Sequence, residues 1–281
     1  MKFLWSLLYL KRIKYTYVFV YLLLFYNFYT ILEEILRMRT LVIGDIHGGF
    51  KALVQVLKRT NVTTSDTLIF MGDYVDGWSE SAELVEFLID LNTKQKCMFI
   101  RGNHDVWCHE WLLDGHVNDV WYRHGGKETI ESYERIPFDK EQHVEFYDNL
   151  ENYILDDKNR LFLHAGFTSM LGVEKEFYPK NFYFDRTLIE TAVLVEEIGI
   201  ENIKRAQYGP RRLSLYSEIY VGHTPTTRYG TETPMKAHNL WDIDTGAAFT
   251  GKLSILDVDT KEFWQSDPLP ELYPHEKGRN K

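Results

Sequence analysis

Apolar residues run through this chain in short unbroken blocks, and the blocks repeatedly end on the same few polar residue types. Thr40-Leu41-Val42-Ile43 leads into Gly44-Asp45-Ile46-His47-Gly48, Thr67 to Met71 leads into Gly72-Asp73, and Cys97 to Ile100 leads into Arg101-Gly102-Asn103-His104-Asp105. An apolar, β-branched run closed by glycine predicts a strand buried on both faces. Between these runs the spacing turns helical, over Phe50 to Arg59 (Ala52, Leu53, Val56 and Leu57 apolar) and over Ser81 to Leu91 (Leu84, Val85, Phe87, Leu88 and Leu91). Strand, helix, strand, helix, strand up to Ile100 predicts a parallel α/β half.

Two later runs end the same way, Leu161 to Leu163 before His164 and Ile219 to Gly222 before His223. Short strand-like runs at Glu218–Val221, Leu240–Ile243, Leu253–Asp257 and Glu262–Gln265 predict a second sheet packed on the first. Thr187 to Ile198 again has helical spacing. The Trp- and His-rich stretch between Val106 and Tyr153, with Gly125-Gly126 inside it, predicts a helical insertion over the strand ends. Pro268 to Lys281, with three prolines and scattered charge, predicts a polar tail that is disordered or laid on the surface.

Asp45, Asp73 and Asn103 are 28 and 30 residues apart, the length of one strand–helix–strand unit. Such units bring successive strand ends to one sheet edge. Asp45 and His47 project to the same side of an extended backbone. Five runs ending in Asp, Asn or His therefore predict one convergent site of carboxylate, amide and imidazole groups, a donor set suited to metal ions.

Composition narrows the partners. The 281 residues are 44% hydrophobic, enough for a core, and carry a net charge of −9, which argues against general affinity for nucleic acid. Cys97 and Cys108 offer no CxxC spacing and no disulfide framework, and are expected to be reduced, structural thiols. Residues 1–37 differ from the rest. Tyr15 to Leu32 is an uncharged run of 18 residues preceded by Lys11, Arg12 and Lys14, which meets the length criterion for a membrane span with a cytoplasmic basic flank. The competing reading is that translation starts at Met38 and the upstream part is misassigned. The abundance of Tyr and Phe, with few Ala or Gly, favours that start. It leaves residues 38–267 as the catalytic domain, with a cap over about 106–155, and a cytoplasmic location; a membrane-anchored form is the alternative.

Taken in order, Gly44-Asp45-Ile46-His47-Gly48, Gly72-Asp73-Tyr74-Val75-Asp76-Gly77, Gly102-Asn103-His104-Asp105, His164-Ala165-Gly166 and Gly222-His223-Thr224 resemble the motif series of the phosphoprotein phosphatase branch of the calcineurin-like metallophosphoesterases. Trp121 to Tyr133, with Thr129 and Ser132-Tyr133, is similar to the cap of the bacterial members. The resemblance implies a four-layer α/β/β/α sandwich with a helical cap and two divalent metal ions, Mn²⁺ first, Fe or Zn²⁺ also suited. It implies that Asp45 and His47 bind one ion, that Asp73 bridges both, and that Asn103, His164 and His223 complete the other. A metal-bridging hydroxide would attack phosphorus. His104, next to Asn103 and not a metal ligand, is suited to protonating the leaving oxygen, with Asp76 keeping its imidazole charged and oriented.

Phosphate recognition departs from that pattern. The protein phosphatases usually carry Arg directly after the second Asp of the second motif, and here Asp76 is followed by Gly77-Trp78. Arg186, in Tyr183-Phe184-Asp185-Arg186, resembles the family's aromatic-x-Arg stretch and is the first candidate to hold phosphoryl oxygens; Arg101, before Gly102-Asn103-His104, is the second, with bracing of the loop as its equal alternative. Arg205, Arg211, Arg212 and Arg228 are further substitutes whose default reading is solvated charge. His109, His116, His124, His143, His238 and His275 match no ligand position, and Trp78, Trp107, Trp111 and Trp121 read first as core or cap packing. Asp244-Thr245-Gly246 reads as strand-end architecture. The expected function is a two-metal phosphomonoesterase acting on phosphoserine or phosphothreonine. The alternative is a symmetrical diadenosine tetraphosphate hydrolase, favoured if the Trp-rich cap makes a slot for a base. A non-catalytic binding protein on the same scaffold ranks far below, since every ligand and His104 are present.

Overall fold

Each predicted strand alternates between two different cores, which fixes the layering. The chain is described from a computed structural model over residues 38–199 and 210–280, together with Phe25. The run from Tyr15 to Leu32, Phe25 apart, and Arg205 lie outside the described residues. Among the described residues no helix is long and apolar enough to cross a membrane.

Strands β1 (Thr40–Ile43), β2 (Thr67–Phe70) and β3 (Lys96–Phe99) pair in parallel. β9 (Ser254–Asp257) joins β1 antiparallel and β10 (Phe263–Gln265) joins β9, giving a sheet in the order β10-β9-β1-β2-β3. The second sheet runs β4 (Tyr153–Leu155), β5 (Arg160–Leu163), β6 (Glu218–Val221), β8 (Leu240–Asp242), β7 (Met235–Ala237). Its three central strands are parallel and its two edges antiparallel.

Successive side chains of a strand face opposite ways. In β1, Leu41 and Ile43 pack under the helices α1 (Phe50–Arg59) and α2 (Ser81–Asn92), while Val42 faces the other sheet. In β5 and β6, Phe162 and Tyr220 face the first sheet, while Leu161, Leu163, Ile219 and Val221 pack outward with Leu188, Ile189, Ala192 and Val195 of Thr187–Ile198. The middle core between the sheets holds Val42, Ile69, Met71, Ile100, Ile154, Phe162, Tyr220, Ile243, Leu256 and Val258. The outcome is the expected helix–sheet–sheet–helix sandwich. Between β3 and β4 lie α3 (Asn103–Asp114), α4 (Lys127–Arg135) and α5 (Lys140–Asp148), and Thr187–Ile198 is α6.

The expected helices and strands reappear with shifts of one or two residues at their ends. The three-residue edge strands β4 and β7 carried too little pattern to be foreseen. The C-terminal expectation needs correction. The segment after β10 is neither disordered nor merely surface-laid: Leu269 and Tyr273 are fully buried, and Tyr273 stacks on Trp78 with ring centroids 5.1 Å apart at 24°. Two buried apolar anchors outweigh the polar composition around them.

The middle core is the part that cannot be thinned. Phe162 stacks on Tyr220 at 4.8 Å and 13°, and both are fully buried. Phe162→Ala is expected to cost about 3–5 kcal/mol in urea unfolding, while Leu171→Ala at an exposed position should stay within about 0.5 kcal/mol. A cost below about 1 kcal/mol for Phe162→Ala would show that the sheets do not depend on this contact.

Candidate active site

The parallel strands β1, β2, β3, β5, β6 and β8 end beside one another, and the residues just past those ends are Asp45, Asp73, Asn103, His164, His223 and Asp244. The loops that carry them are laced together. The backbone N–H groups of Ile46 and His47 both donate to the carbonyl of Asp73, at 3.1 and 2.9 Å, and Gly48 N–H donates to Tyr74 at 2.7 Å. The Asp105 carboxylate accepts three more backbone N–H groups, from Asp73 (2.8 Å), Tyr74 (2.9 Å) and Gly102 (2.8 Å). His47, Asp73, Asp76 and His223 all hold positive φ, at 53°, 53°, 76° and 66°. Side chains at such φ are strained, and strain of this kind clusters at functional sites. Gly102 and Gly222 let backbone abut carboxylate: a Cβ there would lie 2.1 Å from Asp73 Oδ1 and from Asp45 Oδ1, respectively.

Hydrogen bonds set the tautomers. His47 Nδ1 donates to the carbonyls of Val75 (3.1 Å) and Asp76 (3.0 Å), and His164 Nδ1 donates to Met71 (2.8 Å). A ring nitrogen so committed leaves Nε2 as the free lone pair, the arrangement that orients a metal-binding imidazole. The two Nε2 atoms lie 3.5 and 3.3 Å from the same oxygen, Asp73 Oδ2. Two groups able to hold a metal ion result, His47 with Asp73 and His104, and Asp73 with His164 and His223. Asp73 is common to both.

The electrostatics favour cations here. Burial, then the charges of Asp244 and Asp73, raises the Asp45 pKa well above the usual carboxylate range. Burial opposes ionisation of Asp73 too, but His164 and His104 beside it win and hold its pKa well down. Burial keeps His47 and His223 neutral. Asp45 Oδ1, Asn103 Oδ1 and His164 Nε2 are buried without a hydrogen-bond partner. Orphaned buried acceptors are costly, and these three are all metal-ligating atom types. The residues fit two divalent ions.

Asp76 and His104 form a separate pair. His104 Nδ1 lies 2.5 Å from Asp76 Oδ2. The Trp121 indole N–H donates to the same oxygen at 2.7 Å, and the Thr129 hydroxyl donates to Oδ1 at 2.6 Å. Burial pushes the Asp76 pKa up to about 8 and the His104 pKa down to about 3. Asp76 was expected to keep the imidazole charged; burial instead favours a neutral pair, with the shared proton on the carboxyl side and the other on Nε2. In both forms Nε2 carries a proton, and His104 lines the cleft.

That cleft has two lobes. One, of about 230 Å³, is bordered by Asp73, Asn103, His104, Trp107, Val120, His124 and Phe184. The other, of about 160 Å³, is bordered by His47, Pro225, Thr227, Arg228, Asp244 and Phe249. Arg186, His223 and Arg279 border both. Arg186 is thus where the sequence suggested, held by Thr224 Oγ1 at 2.7 Å. Arg101 is not among the lining residues: its Nη2 donates to the carbonyls of Tyr147, Asp148 and Leu150, so it braces the insertion. Arg212 is likewise spent on Phe167 and Thr187, whereas Arg228, His124 and Trp107 do reach the cleft. Sequence reasoning missed Asp105, Trp121 and Thr129 as partners, although all three sat inside quoted motifs. It missed Arg279 altogether, and no local pattern marked it.

A profile of the calcineurin-like phosphoesterase family matches residues 38–240. The chain belongs to this family. It is accordingly a metal-dependent hydrolase of phosphoric ester bonds, and the resemblance to the phosphoprotein phosphatase branch holds. Similar proteins include the asymmetrical bis(5'-nucleosyl)-tetraphosphatase PrpE of Bacillus cereus (strain ATCC 14579), 28% identical over 76% of this chain and 87% of that one. PrpE of Bacillus mycoides (strain KBAB4) is 27% identical over 83% and 97%. Among solved structures, one described as a candidate diadenosine tetraphosphatase superposes with a TM-score of 0.57 at 20% identity, covering 81% and 92%. A protein serine/threonine phosphatase from Saccharomyces cerevisiae superposes at 0.52 and 15%, covering 83% of each. These two share the fold.

Cation binding should therefore stabilise this chain. Saturating Mn²⁺ at about 100 times its Kd is expected to add about 2.7 kcal/mol, read as a rise in Tm. Asp73→Asn, which replaces the shared carboxylate by one neutral amide, should abolish most of that rise and lower the bound metal. An undiminished Mn²⁺ shift in Asp73→Asn would remove Asp73 from the shared position.

Proposed function

We propose that this phosphoester hydrolase acts on a polyphosphate ester, with asymmetrical cleavage of a dinucleoside tetraphosphate as the first candidate reaction. The observation that carries this is the pairing of lobes around Arg186, His223 and Arg279. Three arginines, Arg186, Arg228 and Arg279, border the smaller lobe, more positive charge than one phosphate requires. Trp107 and Phe184, in edge contact at 5.9 Å, border the larger one and offer an apolar face to a base. The named relatives of PrpE type support it. They also favour asymmetrical over symmetrical cleavage, since those relatives are named asymmetrical.

In this reading Asp45 and His47 would hold one divalent ion, Asp73 would be shared, and Asn103, His164 and His223 would hold the second; oxygen and imidazole donors suit Mn²⁺ foremost, with Fe or Zn²⁺ also accommodated. Such ions, when bound, acidify water and neutralise phosphoryl oxygens. The chain's own residues do the rest. Arg186 orients the phosphoryl group. His104 gives its Nε2 proton to the departing oxygen, and the proton shared with Asp76 moves to Nδ1. Trp121 and Thr129 then take up the negative charge left on Asp76.

A second reading rests on that same pair. A phosphate or nucleotide leaving group is a stable anion and needs little protonation, whereas the alkoxide of phosphoserine or phosphothreonine needs it in the transition state. The His104–Asp76 dyad therefore favours an alkyl phosphomonoester. Mn²⁺-loaded protein assayed in parallel on diadenosine tetraphosphate and on a phosphoserine peptide separates the two. Turnover of the peptide alone would defeat the polyphosphate reading.

His104→Asn is expected to cost on the order of 10²–10⁴-fold on a phosphoserine peptide, clearly less on p-nitrophenyl phosphate, with metal content unchanged. Loss of metal, or equal slowing of both substrates, would show that His104 is a ligand or a brace. For Arg186→Ala, a raised KM and lowered kcat with normal metal content are expected, and an unaltered kcat/KM would discharge Arg186 from the site.

A further inference from the structure

The C-terminal segment brings a guanidinium to the cleft from outside the motif series. Its course is fixed contact by contact. Tyr273 stacks on Trp78 and its hydroxyl accepts the Lys51 N–H at 2.9 Å. Glu276 then accepts the Ser79 N–H (2.9 Å) and hydroxyl (2.7 Å), and Arg279 N–H donates to the Ala248 carbonyl at 2.8 Å. The side chain is placed next. Its stem crosses Gly77, where an added Cβ would lie 3.1 Å from Arg279 Cγ and 3.6 Å from Cδ. Its guanidinium carbon lies 5.4 Å from the Phe249 ring centroid.

An arginine anchored this well normally spends its donors on acceptors. Arg279 does not. No ion pair of its guanidinium occurs among the described residues, and its buried Nε has no hydrogen-bond partner. Yet it borders both lobes beside Arg186 and His223, and its charge acts on His47, His104, Asp76 and Asp244. Unspent donors facing a cleft that ends on metal-binding groups call for an oxyanion. We propose that Arg279 binds phosphoryl oxygen opposite Arg186, over the bare Cα of Gly77, so that the C-terminal segment contributes this one side chain to the substrate site. This rests on the cleft being the phosphoryl site, whichever ester is the substrate.

The test uses full-length, Mn²⁺-loaded protein and inorganic phosphate, with binding read by calorimetry and p-nitrophenyl phosphate kinetics alongside. Arg279→Met keeps the stem on Gly77 and removes the fork; Arg279→Ala removes both. Loss of a charge-assisted contact should weaken orthophosphate about 10- to 100-fold in either variant, with KM rising more than kcat falls. Metal content and Tm should hold. Arg279→Lys should recover part of the binding, since a point charge replaces a fork. Lys277→Ala, two residues away and exposed, should bind orthophosphate as the wild type does. An orthophosphate Kd within twofold of wild type in Arg279→Met overturns the assignment, as does a wild-type protein that binds no orthophosphate. If wild type binds and the variants do not, but diadenosine tetraphosphate is not cleaved, the substrate reading fails and Arg279 stands.

Discussion

Crowded buried carboxylate is the constraint around which this molecule is arranged. Asp45, Asp73, Asp242 and Asp244 are all at most 2% exposed, and they raise one another's cost of ionisation. An unpaired buried charge costs several kcal/mol, and the imidazoles nearby, His47 and His223, are kept neutral by the same burial. His164, whose pKa Asp73 raises, offsets part of it, so the fold crowds acidic groups that its own side chains do not fully cancel. Divalent ions relieve that repulsion, so metal binding and the integrity of the strand ends are one energetic problem. The positive-φ residues and the glycines flanking the carboxylates are the backbone's part in it, since they let the ends of six strands bring polar side chains to a common point.

Core packing and acid chemistry meet at Asp76. Trp121 is wholly buried, lies 5.9 Å from Trp111 in the core under the first sheet, and ends on the Asp76 carboxylate. Thr129, from α4, binds both the Asp76 carboxylate and its N–H. The insertion between β3 and β4 therefore does more than cover the cleft. It supplies two of the donors to the Asp76 carboxylate that meets His104, and in the proposed mechanism a substitution that loosens α4 acts through that carboxylate. Second-layer partners of this kind commonly tune activity without touching substrate.

How far the chain was legible follows from how local each signal is. Strands β1, β2, β5 and β6 were readable because three consecutive apolar residues can only be a doubly buried strand or a helix fragment, and the glycine and Asp or His that follow decide between them. The six residues proposed as metal donors could be nominated because each sits at or just past such an end. Arg186 was readable from its neighbours, and the structure brings it to the cleft. Arg101 was left between phosphate contact and bracing because adjacency to Gly102-Asn103-His104 says nothing about direction, and its side chain turns to the carbonyls at the end of α5. β4 and β7 are three residues long and leave no period to detect. The pair state of Asp76 and His104 depends on burial and on Trp121, 45 residues from Asp76, and no motif encodes that.

The C-terminal segment shows the limit most clearly, and why composition misled there. Fourteen mostly polar residues with three prolines read as disordered or surface-laid because such a stretch cannot bury enough apolar surface to offset its ordering entropy. Here the ordering rests on two apolar anchors and on acceptors already fixed in the fold: Leu269 and Tyr273 are buried, Glu276 meets Ser79, and Arg279 meets Ala248. Gly77 and Trp78 together make this possible. Gly77 leaves room for the arginine stem where a side chain would stand, and Trp78, 0% exposed, is the surface on which Tyr273 stacks. The dipeptide that breaks the motif on paper is thus the dipeptide that docks the segment, and one sequence change accounts for both the missing arginine and the one that arrives from 202 positions along the chain. In the proposed site the donors for metal stand at the strand ends, while one of the two phosphate-binding arginines stands on a segment held by Trp78, Ser79 and Ala248.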